Sequence, residues 1–432
     1  MSIKFENAGL VTEKGLKKGD CVLQDGKINL PKTKISCDKT INLAGKYVVP
    51  GFVDIHFHGY NLYDACLGRF DTKAEKFDGS ETAHLEGLKM LSVTLPQFGV
   101  TGFYVGTMAA SVDTLHNSYA NLAKYLKIQK DAKSPAGAKV LGGLLEGSFI
   151  SPDMAGAQNP EFVLKPSKEA FDKIEDGGTI KLVLVGPDSG EPAVELTRYL
   201  TGKGIAVATG HTNATYNQVA EAIKAGLKYC IHFTNGPTGG SYKPFNGGGT
   251  IEAVLKFDEL YAELIADGCH VNPLYIRDII KRKGVKKIIG MTDCMFVAGS
   301  PLKQINVGGV PGQVSEDGSH IRVANKKNTL FGSNLTMNRG FNNMLNWLTS
   351  EMEGIWNRKH VAVDFEEALC AVSGFYSTNP CKLTGLAKAG YGTIADGAKA
   401  DLCVLGISGS QGNYKVRVDM TIVDGNIVYW ES

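Results

Sequence analysis

A chain of 432 residues is longer than one compact domain usually grows, but it accommodates a barrel with a small second domain. Its 46 Lys and Arg nearly balance 44 Asp and Glu, which excludes the basic excess of a general nucleic-acid or membrane binder and leaves room for a local cationic pocket. No apolar run is long enough to span a bilayer, and the start MSIKFENAGLVTEKG carries charges where a secretory leader would carry its apolar core. The nine cysteines lie scattered without CxxC spacing, so the expectation is reduced thiols in the cytoplasm, with neither a disulfide framework nor a cysteine zinc site.

The first fifty residues read as short strands between turns (SIKFENAGLVT, CVLQDGKINL, TINLAGKYVVP). Between them and the chain's end, short apolar runs alternate with helix-length amphipathic segments. The runs are FVDIHFH, GFYVGTM, VLGGLLEG, IKLVLVGP, IAVATGH, YCIHFTN, AELIADG and IIGMTD. Segments such as TYNQVAEAIKAGL and NPLYIRDIIKRKG have helical periodicity and stop at Gly. Eight continuous apolar strands alternating with helices predict an α/β fold, a (β/α)8 barrel of the TIM type, over residues 51–394. The last forty residues return to short strands (ADLCVLG, VRVDMTIVDG, IVYWES), so residues 1–50 and 395–432 are expected to meet in a small β-sandwich domain.

The informative feature is what ends these strands. The first ends in His56 and His58, the third in Glu146, the fifth in His211, the sixth in His232 and the eighth in Asp293. All strands of such a barrel open on one face, where active sites lie, so residues far apart in sequence converge there. His56 and His58, two apart on a strand, point to one side as two ligands of one ion must. Imidazole and carboxylate donors suit zinc, and also iron or manganese. Each residue alone has a plainer explanation: a lumen histidine, a solvated strand-end Glu, a helix-capping neighbourhood, a backbone-bonded Asp. Together they require too many coincidences. Beside a bound divalent ion, Asp293 can take a proton from an activated water and deliver it to a leaving amine.

In this order, VVPGFVDIHFHG, LLEGSFISPDMAGAQNP, TGHTNATY, IHFTNGP, LIADGCHVNP, GMTDCM and TLFGSNLTM resemble the N-acetylglucosamine-6-phosphate deacetylase family of the amidohydrolase superfamily, from about residue 45 to the closing GTIADGAKADLCVL. The HxH after PGFVD indicates only the superfamily; the LEG, GHTNAT and ADGCHV segments point to the deacetylases. The resemblance implies one or two divalent metal ions, zinc first. Glu146, His211 and His232 would bind the principal ion, His56 and His58 would hold a second with Glu146 as bridge, and Asp293 would be acid and base. Many superfamily relatives bridge with a carbamylated Lys at the end of the fourth strand. Here the only Lys of that strand, Lys181, stands near its beginning, which favours Glu146. Substrate contacts are implied for His270 (acetyl carbonyl or sugar), for Asn235, Gly236 and the backbone near Ala157 (phosphate), and for Leu330, Phe331 and Gly332 (sugar).

Three departures from the family stand out. Gln158 replaces a frequent His, Ser148 a usual Pro, and Lys243 stands about where the family carries a phosphate-clamping Arg. Lys binds phosphate as a point charge without the bidentate fork of Arg. The expected activity is metal-dependent hydrolysis of the N-acetyl group of an N-acetylhexosamine 6-phosphate, with N-acetylglucosamine 6-phosphate first; the resemblance implies a homodimer, and no nucleic acid or membrane is an expected partner. The alternatives are a deacetylase of N-acetylgalactosamine 6-phosphate, of an unphosphorylated sugar or of N-acyl amino acids, and an inactive sugar-binding barrel.

Overall fold

The computed structural model describes residues 2–31, 36–236, 248–326 and 328–431. Eight parallel strands follow one another around a ring: β1 (Phe52–Phe57), β2 (Val100–Gly106), β3 (Lys139–Phe149), β4 (Ile180–Val185), β5 (Ala206–Thr209), β6 (Leu227–Cys230), β7 (Tyr261–Ile265) and β8 (Ile288–Met291). Each of the eight apolar runs of the sequence meets one of them. The ring closes just past β8, where the Asp293 N–H donates to His56 O and the His58 N–H to Cys294 O, both at 2.9 Å. These strands are buried on both faces, which is why they read as continuous apolar runs rather than alternations. Leu182 and Leu184 of β4 join a cluster with Ile55, Leu144, Ala208, Tyr229 and Ile289 inside the ring, while Val183 and Val185 face the helical layer.

The helices start and stop where their side chains dictate. Tyr216–Ala225 begins with a reciprocal Thr215–Gln218 capping box and ends at Gly226, whose φ of 116° is left-handed. Pro273–Lys283 begins with Asn272 accepting from Leu274 N and Pro273 in its first turn, and ends at Gly284. Among the described residues, no helix is long and apolar enough to cross a membrane.

Strands from both termini form a second, eight-stranded sheet. Ile3–Thr12 lies in its middle, and Lys46–Pro50 pairs antiparallel with Leu402–Ser410, joining the two ends of the chain. Phe5, Ile28, Val48, Leu402 and Ile422 form its core, and Ile394 and Ala398 pack there too. That packing supports a boundary near 394, which we keep as a proposal. Between Asp293 and the next long helix the sequence reading foresaw no sheet. The structure has an antiparallel meander there: Gln304–Val307, Val310–Val314, His320–Val323 and Leu330–Ser333. Its turns were signalled by Gly308–Gly309 and Asp317–Gly318, dipeptides suited to hairpins.

The third strand departs from a plain strand end. It runs on through Glu146 to Phe149, and its pairing with β4 shifts register between Leu145 and Phe149. Gly147 sits in the shift with φ of 86°. Such an irregularity re-aims a side chain, here Glu146. A Cβ on residue 147 would overlap Gln158 Oε1 and the backbone nitrogen of Ala109. Overpacking costs about 1–3 kcal/mol, and left-handed backbone adds to that. Gly147→Ala is therefore expected to lower the thermal midpoint of the metal-free protein by several degrees, read by differential scanning calorimetry. An unchanged midpoint contradicts this account of the bulge.

Candidate active site

The structure brings His56, His58, Glu146, His211, His232 and Asp293 together at the carboxyl-terminal mouth of the barrel. Glu146, 2% exposed, stands in the centre. Its Oε2 lies 3.1 Å from both His56 Nε2 and His58 Nε2, and its Oε1 lies 3.3 Å from both His211 Nε2 and His232 Nε2. Asp293 Oδ1 is 3.1 Å from His58 Nε2 and 3.6 Å from His56 Nε2. Two overlapping donor groups result, His56 with His58 and Asp293, and His56 with Glu146 and His232.

What turns this crowd into a ligand set is the far side of each ring. His58 Nδ1 donates to Gly106 O at 3.1 Å, His211 Nδ1 to Met154 O at 2.7 Å and His232 Nδ1 to Asn235 O at 2.7 Å. His56 Nδ1 donates to Glu263 Oε2 at 3.0 Å. With every Nδ1 engaged, four Nε2 atoms face one carboxylate. Orienting partners of this kind fix the tautomer of metal-binding histidines. The donor chemistry, imidazole nitrogen and carboxylate oxygen, therefore fits one or two divalent ions.

Electrostatics agree. Burial favours a neutral Glu146 carboxyl, yet His56, His211 and His232 hold it well below the usual carboxylate range. Burial likewise opposes ionisation of Asp293, and His58 and His56 outweigh it. Burial alone would push His58 down, but Asp293 and Glu146 raise it to about 10. The backbone is strained at the same place: His211, His232 and Asp293 adopt positive φ of 42°, 26° and 53°. Non-glycine residues are seldom held there except where surrounding structure over-determines them, at a cost on the order of 1–3 kcal/mol each.

A cavity of about 390 Å³ opens above the cluster. Ala157, Gln158, Asn235, Gly236 and His270 line it, and Leu330, Phe331 and Gly332 form the wall given by the last meander strand. Asp267 Oδ2 accepts from His270 Nδ1 at 2.6 Å and leaves His270 Nε2 for a ligand. Gly236, with φ of 81°, packs where a Cβ would stand 3.2 Å from the His232 ring. Asn235 Nδ2 is buried without a hydrogen-bond partner among the described residues. Gln158 does more than line the wall: its Nε2 donates to Glu146 Oε1 at 3.0 Å, and its Oε1 accepts from Ala109 N at 2.7 Å. Ser148 is buried and does not line the cavity. Lys243 lies outside the described residues.

Sequence reasoning missed three residues. Glu263 lay inside the run AELIADG, where a carboxylate amid apolar neighbours was the available signal. Asp267 was its neighbour in the same run. Lys326 belongs to the unforeseen meander; it is exposed, its Nζ donates to Gly156 O at 3.2 Å, and it is the one lysine or arginine among the described residues lining the cavity.

Residues 47–428 match the sequence profile of the Amidohydrolase family, and the chain belongs to that family of metal-dependent hydrolases. It is 29% identical to the N-acetylglucosamine-6-phosphate deacetylase of Bacillus subtilis (strain 168), over 99% of this chain and 97% of the relative. Identity is 28% to the N-acetylgalactosamine-6-phosphate deacetylase of Escherichia coli O157:H7, over 68% of this chain and 71% of that one. The crystal structure of the N-acetylglucosamine-6-phosphate deacetylase from Thermotoga maritima shares the fold, with a TM-score of 0.78 at 24% identity, covering 99% of this chain and 100% of the other.

The raised His58 value has a measurable consequence. In the metal-free protein His58 keeps its proton up to about 10, against an ordinary 6.5, so an incoming ion must displace it. The stability this contributes to the metal-free fold is fully present below 6.5 and is lost as pH rises through about 10. Apparent affinity for Zn2+ is accordingly expected to rise with pH across that window, measured by competition with a chromophoric chelator. An affinity flat in pH contradicts the assignment.

Proposed function

We propose that this chain hydrolyses the N-acetyl group of an N-acetylhexosamine 6-phosphate, N-acetylglucosamine 6-phosphate first, to acetate and the amino sugar phosphate. The observation that carries the reading is a buried carboxylate shared by four oriented histidines, edged by Asp293, at the floor of a sugar-sized cavity. The full-length likeness to relatives named for this deacetylation supports it. So does the solved Mycobacterium smegmatis relative, described in complex with N-acetyl-D-glucosamine-6-phosphate, whose fold this chain shares with a TM-score of 0.77 at 22% identity.

Residues His56, His58, Glu146, His211 and His232, with Asp293 at the edge, would hold the ions. Zinc is proposed first, since iron and manganese suit the same donors less specifically. When bound, divalent ions supply Lewis acidity toward the acetamide carbonyl and lower the pKa of an attacking water. The chain's own residues do the rest. Asp293, at the edge of the cluster, accepts the proton of the attacking water and returns it to the departing sugar nitrogen. His270, its ring locked by Asp267, presents Nε2 to the acetamide or the sugar. Asn235 Nδ2 and the Gly236 backbone offer donors to the phosphate, and Leu330, Phe331 and Gly332 bound the sugar. Gln158 holds Glu146 from the cavity side.

The deciding experiment is acetate release from N-acetylglucosamine 6-phosphate, its unphosphorylated form and its galacto epimer. Preference for the first supports the proposal; activity confined to another substrate overturns the sugar. Asp293→Asn is expected to lower kcat by about 10²–10⁴-fold with ions still bound, and near-normal turnover would remove its role. Lys326→Ala is expected to raise KM for the phosphorylated sugar roughly five- to tenfold, a charge-assisted contact discounted for exposure, with kcat unchanged. An equal KM would exclude Lys326 from the phosphate.

A further inference from the structure

We infer that Glu263 is the positioning residue that couples the two halves of the metal cluster, holding the His56 ring and the His232 backbone with one carboxylate oxygen. Glu263 stands in the middle of β7 and is fully buried. Its Oε2 lies 3.0 Å from His56 Nδ1 and also accepts from His232 N at 3.2 Å. The same two histidines reach Glu146 from the other side, His56 through Oε2 at 3.1 Å and His232 through Oε1 at 3.3 Å. Glu146 and Glu263 thus clamp one ligand from each half between them, and neither half can shift without straining the other.

Two further observations separate this from ordinary packing. Of the four cluster histidines, the other three rest their Nδ1 on backbone carbonyls, and only His56 meets a carboxylate. A carboxylate partner raises the basicity of an imidazole ligand more than a carbonyl does, making His56 the strongest nitrogen donor of the set. In addition, Glu263 Oε1 is buried without a hydrogen-bond partner among the described residues. A purely structural contact to an N–H and an imidazole would be met by an amide at lower cost, since a buried carboxylate oxygen left unpaired is expensive. It becomes favourable beside positive charge. Two divalent ions against Glu146 and Asp293 alone would leave an excess of two positive charges, which Glu263 halves.

This rests on the cluster being a metal centre. The test compares the wild-type protein with Glu263→Leu and Glu263→Gln, stripped with a chelator and titrated with Zn2+ against a chromophoric competitor. Bound ions are counted by native mass spectrometry, and substrate turnover plays no part in the readout. Glu263→Leu is expected to weaken at least one ion by about 10–100-fold. Glu263→Gln, whose amide oxygen still accepts from Nδ1, is expected to recover part of that loss. A packing role alone would lower the metal-free melting temperature equally in both variants and leave ion affinities unchanged. Wild-type affinity for every ion in Glu263→Leu overturns the inference, and if that variant does not fold, wild-type affinity in Glu263→Gln does so. A wild-type protein that takes up no ion removes the metal reading itself, an outcome distinct from equal uptake by all three.

Discussion

Burying a carboxylate is costly, and Glu146 is buried at the centre of the barrel mouth with four imidazoles around it. That arrangement stands only if the charge is met from every side at once. The barrel is what makes this possible. Strands β1, β3, β5 and β6 deliver the five residues from positions as much as 176 apart in sequence, and closure past β8 adds Asp293. A loop-borne site would leave the same residues free to move apart and hydrate. Here the parallel sheet, packed inside by residues such as Ile55 and Tyr229 and outside by helices, fixes where each strand ends.

The second condition is orientation. A hydrogen bond at one ring nitrogen fixes the tautomer that offers the other to a metal, and each of the four rings finds its acceptor on a different element: β2, the turn Pro152–Met154, the segment after β6, and β7. The positive φ of His211, His232 and Asp293 shows what this placement costs locally. Strain at three converging residues is affordable because the rest of the barrel is uniformly packed. Stability is thereby concentrated in the strands and given up at their ends, the usual division between scaffold and site.

Much of this was legible in the sequence, for identifiable reasons. Strands buried on both faces leave continuous apolar runs, so the eight strands and the polar residues ending them stood out together. HxH spacing carried its own geometry. Glu263 was hidden because its role depends on residues of other strands: nothing within AELIADG says that His56 of β1 and the His232 backbone after β6 come within reach of it. The extension of β3 past Glu146 was hidden for a similar reason, since Gly147 reads locally as a strand stop, whereas in the fold it is a bulge. Lys326 was missed because the meander was missed. Its hairpin signals were present in NVGGV and SEDGS but lie beyond the last barrel strand, outside the strand–helix alternation. Gln158 was noticed only as a departure; its bond to Glu146 places it in the cluster's support.

The distribution of charge in the cavity bears on how a ligand must lie. The floor is a dense set of largely buried titratable groups with metal-binding capacity. The rim has Lys326, exposed and tethered to Gly156 O, and the Asn235–Gly236 backbone. A phosphate placed at the floor would compete with Glu146 and Asp293 for the ions those residues would hold. Placed at the rim it meets the Lys326 ammonium and the Asn235 Nδ2 donor, which has no other partner among the described residues. A neutral acetamide would have the opposite preference, since bound ions and His270 would polarise its carbonyl while an exposed lysine would add little. A molecule carrying both groups at opposite ends of a sugar ring therefore has one favourable orientation, amide down and phosphate out. An N-acyl amino acid, whose carboxylate lies only one carbon from its amide nitrogen, would have to bring its negative charge to the floor with the reacting group. There it would compete for the same ions while leaving Lys326 at the rim without an anion, which disfavours that class of substrate.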